Sequence, residues 1–138
     1  MKLVKHADAR GFLYEVLRRD NAQFSRFGQV YVIGDAARGT VRAWHRHFKM
    51  DEWFCCVQGS VRFVLHDPVA STFSEHLLSG DDPSLLFVPR GIFHGHRVES
   101  DGALTVAVCT EPYDPRQLDE ERVPADHFPA YEWTPDHR

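Results

Sequence analysis

Short apolar runs alternate with polar turns along most of the chain. Residues 29–33, 60–67 and 103–109 are rich in β-branched and aromatic side chains, which favour strands. Glycine, aspartate and proline separate these runs, as at residues 80–83 and in the Asp-Gly pair at 101–102, and such residues are typical of tight turns. Many short strands at this spacing predict an all-β sandwich or barrel.

One predicted strand and the segment after it concentrate the groups that can carry chemistry. His45 and His47 lie on a predicted strand at residues 41–47, and the alternation of side chains places both on one side of the sheet. The short segment 48–51 predicts a hairpin connection, after which Glu52 returns opposite the histidines. Two imidazoles and a carboxylate on one side of a sheet indicate a site for a metal ion or for a proton.

Composition limits the classes of protein that fit. The 138 residues are 43% hydrophobic and 12% aromatic, which predicts one domain over residues 1–138. We expect its core at about 29–115, an N-terminal strand segment at 1–28 and a proline-rich tail at 116–138. The net charge of −4 argues against nucleic acid as a partner, and no apolar run reaches membrane-spanning length. The odd number of cysteines, three, suggests reduced thiols in a cytoplasmic protein.

Two motifs in the middle of the chain carry a resemblance to a known superfamily. The spacing of glycine, His-x-His, glutamate and glycine matches the first cupin motif at Gly39, His45, His47, Glu52 and Gly59. The Pro-Arg-Gly-Ile-Phe-His stretch ending at His94 is similar to part of the second cupin motif. The resemblance implies a double-stranded β-helix, or jelly roll.

Within the cupins, the chain resembles the deoxysugar-nucleotide epimerases typified by dTDP-4-dehydrorhamnose 3,5-epimerase. The similar stretches lie at residues 8–15, 38–45, 88–95 and 109–115 and follow the order of the family. This resemblance implies an enzyme of deoxysugar and polysaccharide biosynthesis. It implies removal of a proton next to the ketone of a nucleotide-activated 4-keto-6-deoxy sugar.

The same resemblance implies roles for individual residues. By position, His45 matches the base, and Arg10 and Arg42 match residues that hold the phosphates and ring of the nucleotide sugar. The implied catalytic candidates are His45, His47 and Tyr113, a tyrosine near the pocket. The implied substrate-binding candidates are Arg10, Glu15, Gln29, Arg42, Glu52 and His94.

Three positions depart from the epimerase pattern. Ala107 stands where the family has its catalytic tyrosine, and Glu52 stands where the family has a pocket lysine. The family segment whose aspartate partners the base has no counterpart before Trp133. We therefore expect Glu52 to lie beside His45, to raise its pKa and to orient one tautomer in place of that aspartate.

Two other functions stay open at this point. The chain also resembles the dTDP-sugar 3,4-ketoisomerases, which are cupins with a His-x-His pair on this strand and need no epimerase tyrosine. Alternatively, one divalent metal ion binds in a metal-dependent oxygenase or isomerase, with His45, His47, Glu52 and His94 as ligands. A sugar-binding cupin without catalysis is the third possibility.

The expected assembly follows from the N-terminal segment. Its strands have few neighbours in sequence with which to pair, so we predict that they add to the sheet of a partner in a homodimer. We expect a nucleotide-sugar substrate, no required cofactor, and no nucleic-acid or membrane partner.

Overall fold

The computed structural model describes residues 1–133, which form β-strands and contain no helix. The strands are β1 His6–Asp8, β2 Gly11–Leu13, β3 Gln29–Asp35, β4 Val41–Arg46, β5 Glu52–Gln58, β6 Ser60–Asp67, β7 Thr72–Ser79, β8 Leu86–Val88, β9 Phe93–Val98, β10 Ala103–Cys109 and β11 Glu121–Arg122. The all-β prediction is confirmed over this range. A search of the same residues finds no helix that could cross a membrane.

Two antiparallel sheets make up the body of the molecule. Their strand orders are β3-β10-β5-β8 and β11-β4-β9-β6-β7. From β3 to β6 the chain changes sheet at every connection, which is the winding of a jelly roll. The predicted hairpin at residues 48–51 is therefore wrong, because this segment crosses between sheets. Residues 52–56 of β5 are buried, so β5 is an inner strand, and its neighbours β8 and β10 come from later in the chain.

The main core lies between the two sheets. Phe54 of β5 and Phe63 of β6 are almost fully buried there, with their ring centroids 4.7 Å apart. Ala107 of β10 and Val98 of β9 complete the same cluster. Burial of such large apolar side chains stabilises the sandwich and fixes which face of each strand points inward.

The C-terminal segment packs against β4. The backbones of Trp44 and Val123 exchange hydrogen bonds of 3.0 and 3.1 Å, which extends the pairing of β11 with β4. The fully buried Trp44 ring is surrounded by Phe128, Tyr131 and Trp133. The aromatic end of the predicted tail thus packs on the sheet, while residues 134–138 of that tail lie outside the described residues.

The N-terminal strands stand apart from both sheets. β1 and β2 pair only with each other, and all their residues are exposed. Phe12 and Leu13 are 60% and 62% exposed, although both are large and apolar. The hairpin therefore presents an apolar surface that this single chain does not cover.

Candidate active site

A cavity of about 360 Å³ lies between the two sheets. Its polar lining comes from strands β3, β4 and β9 and from the segment after β10, and Ile33, Met50, Phe54 and Phe63 supply its apolar part. Six of the nine predicted site residues line it, namely Gln29, Arg42, His45, His47, His94 and Tyr113. Ligand pockets typically combine apolar walls with a few converging polar groups in this way.

His47 has an acceptor at each of its ring nitrogens. Its Nε2 lies 2.6 Å from Glu52 Oε1, and its Nδ1 lies 2.5 Å from the carbonyl oxygen of Asp119. Because a carbonyl oxygen accepts only, Nδ1 carries a proton, and the carboxylate holds a second proton on Nε2. These contacts favour the imidazolium form of His47, which lies at ion-pair distance, without the alignment of a full hydrogen bond, from a carboxylate that is 1% exposed.

Burial and charge compete in setting the pKa values around Glu52. Burial lowers the pKa of His47, but contact with Glu52 and Asp119 outweighs burial and raises it to about 9. Burial disfavours the Glu52 carboxylate, but His47, His94 and Tyr31 outweigh it and lower the pKa of Glu52. Burial lowers the pKa of His94 to about 4, so this neighbour is neutral.

Tyr31 reaches the cluster from the neighbouring strand. Its hydroxyl donates a hydrogen bond to Glu52 Oε2 at 3.2 Å. Burial and the charge of Glu52 raise the pKa of Tyr31, which keeps the phenol protonated. Tyr31 lies directly opposite Ala107 in the pairing of β3 with β10. The cavity thus contains a tyrosine one strand away from the position at which the epimerase pattern has one.

His45 has a different partner from the one that the sequence predicts. Its Nδ1 lies 3.3 Å from Glu120 Oε1, at ion-pair distance but without the alignment of a full hydrogen bond. The expectation that Glu52 lies beside His45 is wrong, because β5 belongs to the facing sheet and brings Glu52 to His47 instead. Burial lowers the pKa of His45, and Glu120 does not offset this effect because Arg122 opposes it.

The segment that carries Glu120 is fixed against β4, which holds this carboxylate at His45 Nδ1. β11 pairs with β4 so that Arg122 lies opposite His45. The Asp119 carboxylate accepts hydrogen bonds of 2.8 and 3.0 Å from the backbone N–H groups of Phe48 and Lys49. These contacts hold the segment against the end of β4. A carboxylate at Nδ1 favours the tautomer whose Nε2 is unprotonated and basic.

A second polar group lies toward the other end of β4. The Arg42 Nε donates a 2.8 Å hydrogen bond to Asp35 Oδ1, and Asp35 Oδ2 lies 3.0 Å from His96 Nε2. Burial lowers the pKa of His96, although Asp35 acts against burial. At the rim, the backbone N–H of Tyr113 donates to Gln29 Oε1 at 2.8 Å.

Two of the predicted substrate contacts lie outside the cavity of this chain. Arg10, in the β1–β2 turn, pairs with Asp8, and Glu15 pairs with Arg18. Neither side chain lines the cavity. Their roles in substrate binding remain predictions that depend on a second copy of the chain.

The structure adds functional candidates that sequence reasoning missed. They are Tyr31, Asp35, His96, Glu120 and Arg122. The alternation in β3 could have identified Tyr31, because Gln29, Tyr31 and Ile33 share one face. No local pattern marks Glu120, which lies in an irregular, acidic segment. Its contact with His45 arises only from the pairing of β11 with a strand about seventy residues earlier.

Known proteins share this fold and much of this sequence. The spore coat polysaccharide biosynthesis protein SpsL of Bacillus subtilis is 34% identical over 99% of this chain and 95% of its own length. The TDP-4-oxo-6-deoxy-alpha-D-glucose-3,4-oxoisomerase of Aneurinibacillus thermoaerophilus is 29% identical over 80% of this chain and 76% of its own length. The crystal structure of a dTDP sugar isomerase from Desulfovibrio desulfuricans superposes with a TM-score of 0.84 at 28% identity, covering 95% of this chain and 87% of that one.

These similarities confirm the cupin jelly-roll prediction and extend over nearly the whole chain. The model of the family described as "FdtA: WxcM-like, C-terminal" matches residues 1–122, a range that includes every strand from β1 to β11. The chain therefore belongs to the FdtA (WxcM-like, C-terminal) family.

Proposed function

We propose that the protein isomerises a nucleotide-activated 4-keto-6-deoxy sugar, with His45 as the base. The observation that carries this proposal is the pair of imidazoles at the end of β4, whose different carboxylate partners lower the pKa of His45 and raise that of His47. A neutral His45 accepts a proton, and a protonated His47 donates one, so the cavity contains an acid and a base side by side. The oxoisomerase and the dTDP sugar isomerase described above support this substrate class.

The proposed chemistry needs only proton transfer. The ketone at C4 of the sugar acidifies the hydrogen at C3, and His45 Nε2 removes it as the C3–C4 double bond of an enediol forms. The C4 oxygen takes the Nε2 proton of His47, which leaves its contact with Glu52 as the imidazole becomes neutral. The C3 hydroxyl then returns a proton to that donor, the C3 ketone forms, and His45 delivers its proton to C4. Atoms and electrons balance without an oxidant.

The positions of the donors favour 3,4-ketoisomerisation over epimerisation. The base lies on β4 and the nearest acid, His47, follows the end of that strand two residues later, so they address neighbouring atoms on one face of the sugar. Ala107 offers no acid across the cavity, where the epimerase pattern has its tyrosine. Epimerisation is the second candidate, because Tyr113 lies at the rim and supplies a hydroxyl for protonation on the opposite face.

We further propose that the active unit is a homodimer in the cytoplasm. The exposed apolar hairpin of β1 and β2 and the open edge of β3, where Val30 and Val32 are 56% and 62% exposed, would cover each other between two copies. In that arrangement, Arg10 and Glu15 would contact substrate in the partner's cavity. Free buried thiols at Cys55, Cys56 and Cys109 fit a reducing compartment.

The decisive experiment follows the proton. Purified protein is mixed with TDP-4-keto-6-deoxyglucose in D₂O, and NMR records deuterium at C3, C4 and C5 together with the product. Deuterium at C4 of a 3-keto product supports ketoisomerisation, and inverted configuration at C3 or C5 supports the epimerase. Binding of the nucleotide sugar without any exchange would replace both with a sugar-binding protein.

A metal ion is the competing explanation of the same cluster. The ligand atoms of His47, Glu52 and His94 lie within 4.8 Å of one another, and two histidines with one carboxylate suit a divalent transition metal. His45 is not part of this group. An ion at this position would replace the proton between His47 and Glu52.

We propose that the reaction needs no metal. Elemental analysis of protein purified without chelator, followed by an exchange assay after chelation, tests this. Stoichiometric metal together with exchange that chelation abolishes would assign the cluster to a metal centre.

A further inference from the structure

One end of the cavity is built around a carboxylate that the proton chemistry does not use. Asp35 closes β3 with a side chain that is 1% exposed, and both of its oxygens have partners. Oδ1 accepts the hydrogen bond from Arg42 Nε, and Oδ2 contacts His96 Nε2. A carboxylate buried to this degree is costly unless it is paired, so these two contacts hold Asp35 in a single arrangement.

The contact with Asp35 leaves part of the Arg42 guanidinium free. Asp35 occupies Nε, and among residues 1–133 no hydrogen bond reaches Nη1 or Nη2 of Arg42. The Arg42 side chain is 53% exposed and lines the cavity. The two Nη groups are therefore the donors left for a ligand, and such a planar fork binds phosphate oxygens in pairs.

We propose that Asp35 is a positioning residue that fixes the Arg42 guanidinium to receive the diphosphate of the nucleotide sugar. The inference rests on the proposed function and assigns the anion end of the same cavity. A long arginine side chain loses rotamer freedom when it binds a ligand. Asp35 removes part of that freedom before the ligand arrives. His96, which lies opposite Arg42 in the pairing of β4 with β9, holds Asp35 from the other side.

Positioning and simple electrostatics predict opposite results for one substitution. A carboxylate close to a phosphate repels it, so on charge alone Asp35→Asn should tighten binding of dTDP. If Asp35 acts by holding Arg42, the same substitution should weaken binding, because the guanidinium becomes mobile. The sign of the change therefore separates the two explanations.

Isothermal titration of dTDP and of inorganic pyrophosphate into the full chain supplies the measurement. We expect Asp35→Asn to weaken dTDP binding about 2- to 12-fold, the range for immobilising one flexible side chain. Arg42→Ala should weaken it further, and Asp35→Asn should then have no additional effect in the Arg42→Ala protein. Non-additivity of this kind is a result that a general loss of structure would not produce.

Glu99→Gln provides the matched control. Glu99 is a 12% exposed carboxylate between Arg97 and Arg62, outside the cavity lining. Its substitution removes the same charge and also breaks arginine contacts. Because Glu99 lies outside the cavity, dTDP affinity should nevertheless stay at the wild-type value.

Several outcomes would overturn the inference. Unchanged or tighter dTDP binding by Asp35→Asn, or additive effects in the double variant, would do so while leaving the proposed function intact. If Asp35→Asn does not fold, Arg42→Lys tests the same point, since one ammonium cannot both hold Asp35 and grip two phosphate oxygens. Wild-type affinity in Arg42→Lys would refute the inference. Failure of the wild-type chain to bind either probe would refute the proposed function as well.

Discussion

His45 on β4 and His47, just after the end of that strand, line one cavity, yet their surroundings shift their pKa values in opposite directions. His47 has a carboxylate on one ring nitrogen and a carbonyl oxygen on the other. His45 has a single carboxylate, Glu120, at a longer distance. Burial lowers the pKa of both imidazoles, but only at His47 do the neighbouring acceptors reverse that effect.

The difference between the pKa values of His45 and His47 arises from the carboxylates that they contact. Glu52 is 1% exposed and, within residues 1–133, pairs with no arginine, so its field acts on His47 with little screening. Glu120 is 22% exposed, and its Oε1 lies 2.6 Å from Arg122 Nε, which neutralises most of its charge. Identical side chains thus become acid and base through the burial and pairing of a second group, and the His-x-His spacing alone does not assign the two roles.

Replacing the base should give the largest effect. His45→Asn should lower the rate of deuterium exchange by about 10²–10⁴, the usual contribution of a positioned general base. Binding of dTDP should persist, since the proposed phosphate contacts lie at Arg42. NMR-detected exchange and titration of dTDP provide the two readouts. If His45→Asn exchanged at the wild-type rate and His47→Asn did not, the two roles would have to be reversed.

The pH dependence of kcat/KM should report the titration of both His45 and His47. Activity requires His45 neutral, so kcat/KM should rise with pH through an apparent pKa below the ordinary histidine value. Activity also requires His47 protonated, so it should fall again near pH 9, where the pKa of His47 is about 9. A bell-shaped profile follows. Its alkaline limb should be absent in His47→Asn, and an alkaline limb retained in that variant would assign it to another group.

The pH dependence of the free energy of unfolding should include a contribution from His47. Its pKa is raised to about 9 on folding, so its contribution is complete below the unfolded value of about 6.5 and is lost as pH rises through the folded value. Between pH 6 and pH 10, urea unfolding of the wild type should lose about 1–3 kcal/mol through this linkage. His47→Asn should remove that part of the pH dependence, whereas His45→Asn should retain it.

The sequence predicts features that depend on local patterns, and it misses contacts between residues that are distant in the chain. The histidines, Glu52 and His94 occupy motif positions, and the jelly roll follows from turn spacing and strand composition. The wrong pairing of Glu52 came from treating residues 48–51 as a hairpin, because periodicity cannot tell a hairpin from a crossing between sheets. The Asp35–His96 contact joins residues 61 apart in the chain, which no local pattern reveals. Arg10 and Glu15 stay predictions, since a second chain would have to place them.

Removing the weaker carboxylate should give the smallest effect and tests the comparison most directly. Glu120→Gln keeps an acceptor near His45 Nδ1 but loses the charge that stabilises the imidazolium. We expect exchange to fall about 2- to 5-fold, the upper range for a partly exposed ion pair. Because Glu120 raises the pKa of His45, the acid limb of the pH profile should move to lower pH. Glu121→Gln is the matched control, since Glu121 pairs with Arg46 Nη2 at 2.7 Å and does not line the cavity. Equal shifts in the two variants would show that Glu120 acts only through net charge.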